Sequence, residues 1–371
     1  MKRLLPLLVS LTALKADVLH FFDPLKTIDS YTSVRADYFI ANDPVSVHGF
    51  FHRWEGAYHP RSGDNLALQD LRIDAGRGVG NGAYYVGLFY RYNVALKANR
   101  DFTDFYRTIK QHLDFVPLQI YQLRLKIEGI RQSGLLFGMR RILYAQDDRL
   151  VEIGGALHLG AGFDMQEGYI RGRAHIPDKR AYDVDAYAHY RYTHNYLYKL
   201  PVTQSRGAGI GSDFAIRYSD RQNGYTITLL VNDLLSRIWW FDLPYSDVEI
   251  KTANRIYDEK GYMRYNPSVS GVERKVDFLQ TISPRWRLEA EKQSGLYRFS
   301  CAVAHGYGTY FPSLAIGRLF ENRQQLLVSY ESRFRTVGIG YVNDFIRLML
   351  RTDRLRHASA MGVSAQVLYR F

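Results

Sequence analysis

Cysteine is almost missing from this chain of 371 residues, Cys301 being the only one. No intrachain disulfide can hold the fold, and no centre built on several thiolates can form. A long hydrophobic run is missing too. The most apolar stretch, Leu4 to Leu14, is broken by Pro6, Ser10 and Thr12 and falls short of the roughly twenty residues a bilayer-spanning helix needs. There is no phosphate-cradling GxxxxGK[ST], no CxxC pair and no dinucleotide fingerprint in a strand-helix-strand setting. Repeated strand-long helix-strand units are likewise absent, which excludes doubly wound and eight-helix barrel enzymes. Basic residues alternate through the chain instead of forming a compact tract, so nucleic acid is not an expected partner.

What the chain does have is aromatic and basic side chains: 29 Tyr, 20 Phe, and 49 Lys plus Arg against 37 Asp plus Glu. Tyr and Phe favour pleated, partly buried surfaces, and Tyr suits a membrane interface. The most ordered expression of this composition is Met361 to Phe371, MGVSAQVLYRF, which alternates in an extended strand: Val363, Ala365, Val367, Tyr369 and Phe371 share one side. The same two-residue rhythm recurs through most of the chain. Tyr121, Leu123, Leu125 and Ile127 oppose Gln122, Arg124, Lys126 and Glu128. From Val151 to Phe163 the apolar parity faces Glu152, Gly154, Ala156, His158 and Gly160, and these small residues leave room or allow close approach on the inner face. Trp286 and Leu288 oppose Arg287 and Glu289, while Tyr297, Phe299, Cys301 and Val303 oppose Arg298 and Ser300, which makes Cys301 a small apolar filler.

Turn signals punctuate the rhythm: GNG at Gly80 to Gly82, QSG at Gln132 to Gly134 and again at Gln293 to Gly295, QDD at Gln146 to Asp148, and NG at Asn223 and Gly224. Two stretches depart from it. Ala98 to Leu113 carries Phe102, Phe105, Tyr106, Ile109 and Leu113 at helical spacing, as a plug or loop helix. Residues 234–271, with Pro244 and Pro267, read as a long irregular excursion. These features predict an all-β fold: one transmembrane antiparallel up-and-down β-barrel of about sixteen strands, within a range of roughly fourteen to eighteen. Closure removes the sheet edges, which lipid could not satisfy.

The domain plan is a signal peptide at 1–16, an amino-terminal lead-in or plug at 17–44, and the barrel at 45–371. The export-like MKRLLPLLVSLTALKA, the alternating strands of Val45 to Phe371, and the terminal VLYRF with Phe371 last and Tyr369 two before it together resemble the Gram-negative outer-membrane β-barrel class, porin-like or hydrophobic-compound-transporter-like. The resemblance implies an outer-membrane location, contact with outer-membrane lipid and lipopolysaccharide, and an insertion signal at Val367, Tyr369 and Phe371 read by the barrel-insertion machinery.

The function expected of such a chain is a channel or uptake barrel for small solutes, working by passive diffusion with no cofactor and no metal. Selectivity would come from inward-folded loops and from lumen-lining charges. The candidates are Arg124, Lys126, Glu128, Glu152, Arg171, Arg173, Asp183, Asp185, Arg191, Asp213, Arg217 and Arg298. Opposite charges pairing around a packed, nonconducting interior is the alternative for the same residues. A scaffold or assembly protein with an envelope-protein partner is the competing function. A lipid-modifying enzyme ranks third, since no Ser and His among the candidates define a catalytic arrangement.

Overall fold

The computed structural model describes residues 18–25, 30–59, 62–146, 148–194, 205–253, 255–257, 263–265, 268–321 and 323–371. The proposed signal peptide lies outside them. Strand alternation becomes a wall whose first members are β1 (Tyr31–Asn42), β2 (Gly63–Val79), β3 (Gly82–Ala98), β4 (Ile120–Gln146) and β5 (Arg149–Asp178). Then come β6 (Ala181–Tyr192), β7 (Gly207–Asp220), β8 (Tyr225–Asn232), β9 (Arg237–Lys251), the small hairpin β10 (Arg255–Tyr257) and β11 (Met263–Tyr265), and β12 (Val269–Thr281). The last third is a plain meander: β13 (Arg285–Ser294), β14 (Tyr297–Gly306), β15 (Thr309–Leu319), β16 (Gln325–Glu331), β17 (Thr336–Val342), β18 (Ile346–Thr352) and β19 (Ala360–Arg370).

All pairings are antiparallel, and β1 closes the wall by pairing β19 from Tyr31↔Arg370 to Ala41↔Ala360. Hydrogen-bonded neighbours can be followed round a closed ring of sixteen strands, with β12 outside it on β9. The first half of β5 pairs β7, up to Gly162↔Gly207, and its second half pairs β6. Below that level the circuit is therefore shorter by β6 and β9. Above it, β4, β5, β6, β9 and β12 rise as a sheet.

One face of the wall strands is oily and exposed; the other is largely buried and mixes polar and small side chains with large apolar ones such as Phe39, Phe89, Leu136 and Leu230. Val86, Leu88, Leu135, Phe137, Ile216, Leu288, Leu314, Val328, Ile339 and Leu350 all point outward with more than a third of their surface open. A soluble protein does not expose a continuous belt of this kind, whereas a bilayer requires it. Among the described residues no helix is long and apolar enough to cross a membrane. The rim where β1 begins and β19 ends has the short turns and the opposite rim has the longer loops, the asymmetry usual for transmembrane β-barrels. Arg318 points outward near that rim and lies over the Phe320 ring at 5.4 Å, where its stem can snorkel toward headgroups.

Four sequence expectations are corrected. The barrel starts at Tyr31, not Val45: YTSVRADYFIA is already a wall strand, paired on both sides. Residues after Val45 instead form α1 (Val47–Phe51), because the Ser46 Oγ accepts from the Gly49 backbone at 3.0 Å and caps a turn. The QSG at Gln132–Gly134 is no turn. It lies inside the 27-residue β4, where a Cβ on Gly134 would meet the Leu159 carbonyl. Close strand approach requires that glycine, whereas Gly295 in the second QSG has φ +56 and does turn the chain.

The excursion at 234–271 contains a 15-residue strand, β9, with Pro244 inside it and a bulge at Phe241 and Asp242 where its pairing with β12 shifts register. The expected helix is α2 (Arg100–Lys110), capped by Asn99, whose side chain accepts from Phe102 N at 3.2 Å. It is a loop helix, not a plug. Phe105 buries against Tyr121 and Phe115 beside the projecting sheet. Trp54 packs on Tyr106 at 5.2 Å and ties α1's loop to α2.

Candidate functional site: a lumen closed from within

Inside the ring sits the segment Val18 to Leu25. Val18, Leu19, Phe21, Phe22 and Leu25 are each at most 3 % exposed. Apolar burial alone would not fix their register, and polar contacts from the wall do. Asn232, at the end of β8, accepts from Phe22 N at 2.8 Å and donates to Phe22 O at 3.0 Å. The Arg35 guanidinium donates to Phe21 O at 3.2 Å, and Arg285 to His20 O at 3.3 Å. Arg217 donates to the Asp23 carboxylate at 3.0 Å, and Arg72 lies 4.4 Å over the Phe22 ring. Main-chain groups that a lipid-depth segment could not leave unpaired are thus satisfied by wall side chains.

The wall makes room through its small residues. A Cβ on Gly154 would approach the Pro24 carbonyl carbon to 2.9 Å and Leu25 to 3.0 Å, and one on Gly306 would approach Leu19 to 2.8 Å. The inner-face glycines that the sequence shows between 151 and 163 are in part the seat of this segment.

Around it the lumen is crossed by charge pairs. Asp233 accepts from Arg91 at 2.7 Å and from Arg285 at 2.9 Å, so β3 and β13 are joined through the turn after β8. Arg72 pairs Asp70 at 2.8 Å, Arg287 pairs Glu289 at 2.6 Å, and Glu152 takes Arg140 together with Arg217 at 3.7 Å. His158 Nε2 lies 2.6 Å from Asp213 without the alignment of a hydrogen bond. A cavity between Phe89, Gln132, His158 and Asp233 holds about 10 Å³, room for one water at most. Oppositely charged partners, and not a single-sign ring, therefore line this level.

Of the sequence-nominated charges, Glu152, Asp213 and Arg217 belong to this buried lattice. Arg124, Lys126, Glu128, Arg171, Arg173, Asp183 and Asp185 lie higher, on the projecting strands β4, β5 and β6, and most are exposed. Lys126 pairs Glu128, and Arg173 reaches Asp185 at 3.4 Å. Arg191 is partly covered, 3.6 Å from Glu167 and 4.2 Å over the Phe278 ring. Arg298 is half-buried on β14. Val367 and Tyr369 point outward on β19, with Phe371 just beyond it and 73 % exposed.

Sequence reasoning missed Asn232, Arg91, Asp233 and Arg285. The signal for Arg91 was present: it is the lone charge in the apolar AYYVGLFYRYNVAL. Asn232 and Asp233 sit where a strand ends, and their partners come from far along the chain.

No family model matches the chain, and no curated protein matches it. Among solved structures, the chain is similar to the toluene transporter TodX of Pseudomonas putida at 9 % identity and a TM-score of 0.43, over 92 % of this chain and 89 % of that one. It is also similar to the toluene transporter TbuX of Ralstonia pickettii, at 9 % identity and 0.34 over 94 % and 91 %, and to a FadL homologue of Pseudomonas aeruginosa at 9 % and 0.30 over 92 % and 90 %. The strand pairings and the outward apolar belt carry the assignment of the fold: this chain is a closed antiparallel β-barrel of the transmembrane kind, with its own amino-terminal segment inside the ring.

Proposed function

We propose that the protein is a gated uptake barrel for small solutes, with residues 18–25 as the gate and the closed state as the one described. The observation that carries this reading is how the segment is held. Its contacts to Asn232, Arg35, Arg285 and Arg217 are hydrogen bonds and one ion pair at a few points along eight residues, while the wall around it is complete without it. Such a segment can leave without breaking a strand pairing. Once it has left, the Arg and Asp side chains facing the vacated path would set which solutes pass.

Planar-bilayer recording tests this. Full-length protein gives rare, brief openings, and a variant lacking residues 18–25 gives steady conductance. Liposome swelling with anionic, neutral and apolar solutes then ranks selectivity. The competing scaffold reading draws on the Arg91–Asp233–Arg285 bridge, whose ion pairs all lie between wall strands and the turn after β8 even though Arg285 also donates to His20 O. If the deletion variant folds, as shown by heat-modifiable migration, and stays silent, the bridge seals the barrel and the scaffold reading stands.

A further inference from the structure

The geometry points to an oxyanion-binding site on the lumen-side face of the projecting sheet, formed by Arg124 of β4 and Arg171 of β5 with Arg173 beside them. The cross-strand register sets Arg124 directly opposite Arg171, and Gln122 opposite Arg173. Directly opposed like charges destabilise a sheet, because their Cβ atoms are about 5 Å apart. A neighbouring acid would ordinarily relieve them. Here the nearby acids are committed elsewhere: Asp185 to Arg173, Glu128 to Lys126, and Asp101 to the backbone N–H of Gln122 at 2.8 Å. Among the described residues no carboxylate pairs with either Arg124 or Arg171.

The two guanidinium groups also have space in front of them. A cavity of about 610 Å³ is bordered by Gln122, Arg124, Arg171, Arg173 and Asp185, with the Gly172 backbone in its floor. Arg171 is held in place from one side, 4.7 Å over the Tyr169 ring, which itself stacks on His189 at 5.3 Å. Two planar forks facing one space suit a group with several oxygens in one plane or tetrahedron, each fork giving paired N–H···O bonds. The ligand class is a phosphate or carboxylate, free or carried on a larger molecule. This inference does not rest on the uptake reading, since the site would exist in a barrel that never conducts.

Titration calorimetry on the full chain in neutral detergent, with inorganic phosphate, with acetate and with chloride as control, tests it. Phosphate or acetate is expected to bind saturably at low ionic strength. Arg124→Gln and Arg171→Gln each weaken it by about tenfold, the double variant abolishes it, and Lys126→Gln leaves it unchanged. A second readout separates binding from folding. Without added oxyanion, Arg124→Gln melts above the wild type because the like-charge opposition is gone, and it loses the rise in melting temperature that phosphate gives the wild type.

Vesicles of phosphatidylglycerol and of phosphatidylcholine distinguish the source. If only the anionic vesicles block inorganic phosphate, the oxyanion is a lipid headgroup; if neither blocks it, a free solute is the ligand. Saturable phosphate binding that persists in the double variant, or no saturable binding of any oxyanion to the wild type, overturns the assignment.

Discussion

Asn232 holds Phe22 at both main-chain polar atoms, accepting from its N–H at 2.8 Å and donating to its carbonyl at 3.0 Å, across 210 positions of sequence. A carboxamide in this geometry imitates one rung of a β-ladder, so the closing segment is bound to the wall as a strand would be, at a single residue. Replacing Asn232 by Ala removes two hydrogen bonds to the buried main chain of Phe22, each worth about 1–3 kcal/mol. The expected result is faster hydrogen exchange across residues 18–25 and more frequent openings in planar bilayers, with the melting of the wall nearly unchanged. Unaltered exchange in that segment would remove Asn232 from the latch.

Gly154 offers a steric counterpart. A Val there places its Cβ within 3.0 Å of Pro24 and Leu25, on the inner face, where the wall itself gains no clash of that size from the substitution. Gly154→Val is expected to assemble a heat-modifiable barrel from which residues 18–25 are displaced and open to protease. Protection equal to wild type would mean that the wall, and not the segment, moves aside.

The Asp233 carboxylate stands between two arginines that are almost wholly buried. Asp233→Asn keeps the volume and removes the charge, which leaves Arg285 without a carboxylate and Arg91 with only Asp70 at 3.7 Å, at a cost of roughly 3–5 kcal/mol. Urea titration of the folded barrel in lipid vesicles should show this as a lower midpoint. A triple Arg91→Met, Asp233→Leu and Arg285→Met change should recover much of the loss, since all three desolvated charges then disappear together.

Cys301 reports on the belt. It is exposed on the outward parity of β14, between Phe299 and Val303. In vesicles it should react with a lipophilic maleimide and resist a charged, membrane-impermeant one, and detergent extraction should not reverse that order. Rapid labelling by the charged reagent in intact vesicles would place this strand in water.

The wall was legible because its signal is local: in β7, β8, β13, β14 and β19 each residue's parity already states whether it meets lipid or lumen. Even Met349, an apolar residue sharing the parity of Arg347 and Arg351, is fully buried on the inner face. The misreadings arose where one local pattern serves two structures. QSG turns the chain at Gly295 and continues a strand at Gly134, and only the approach of β5 distinguishes the two. VHGFF alternates no worse than a strand, yet a capping serine makes it helical. The lattice was beyond reach for another reason: pairings such as Arg91 with Asp233 depend on which strands face each other across a closed ring, and no window of sequence contains that information.

The polar face turned inward has a consequence for the journey before folding. With Gly154, Asp213, Arg217, Arg287 and Glu289 among the inner-face residues that interrupt its strands, the chain holds no run of about twenty apolar residues, the length at which a helix settles in a bilayer. The same side chains that later meet the closing segment keep any single stretch of the unfolded polypeptide from lodging in a membrane as a helix, so that only the assembled wall presents a continuous apolar surface.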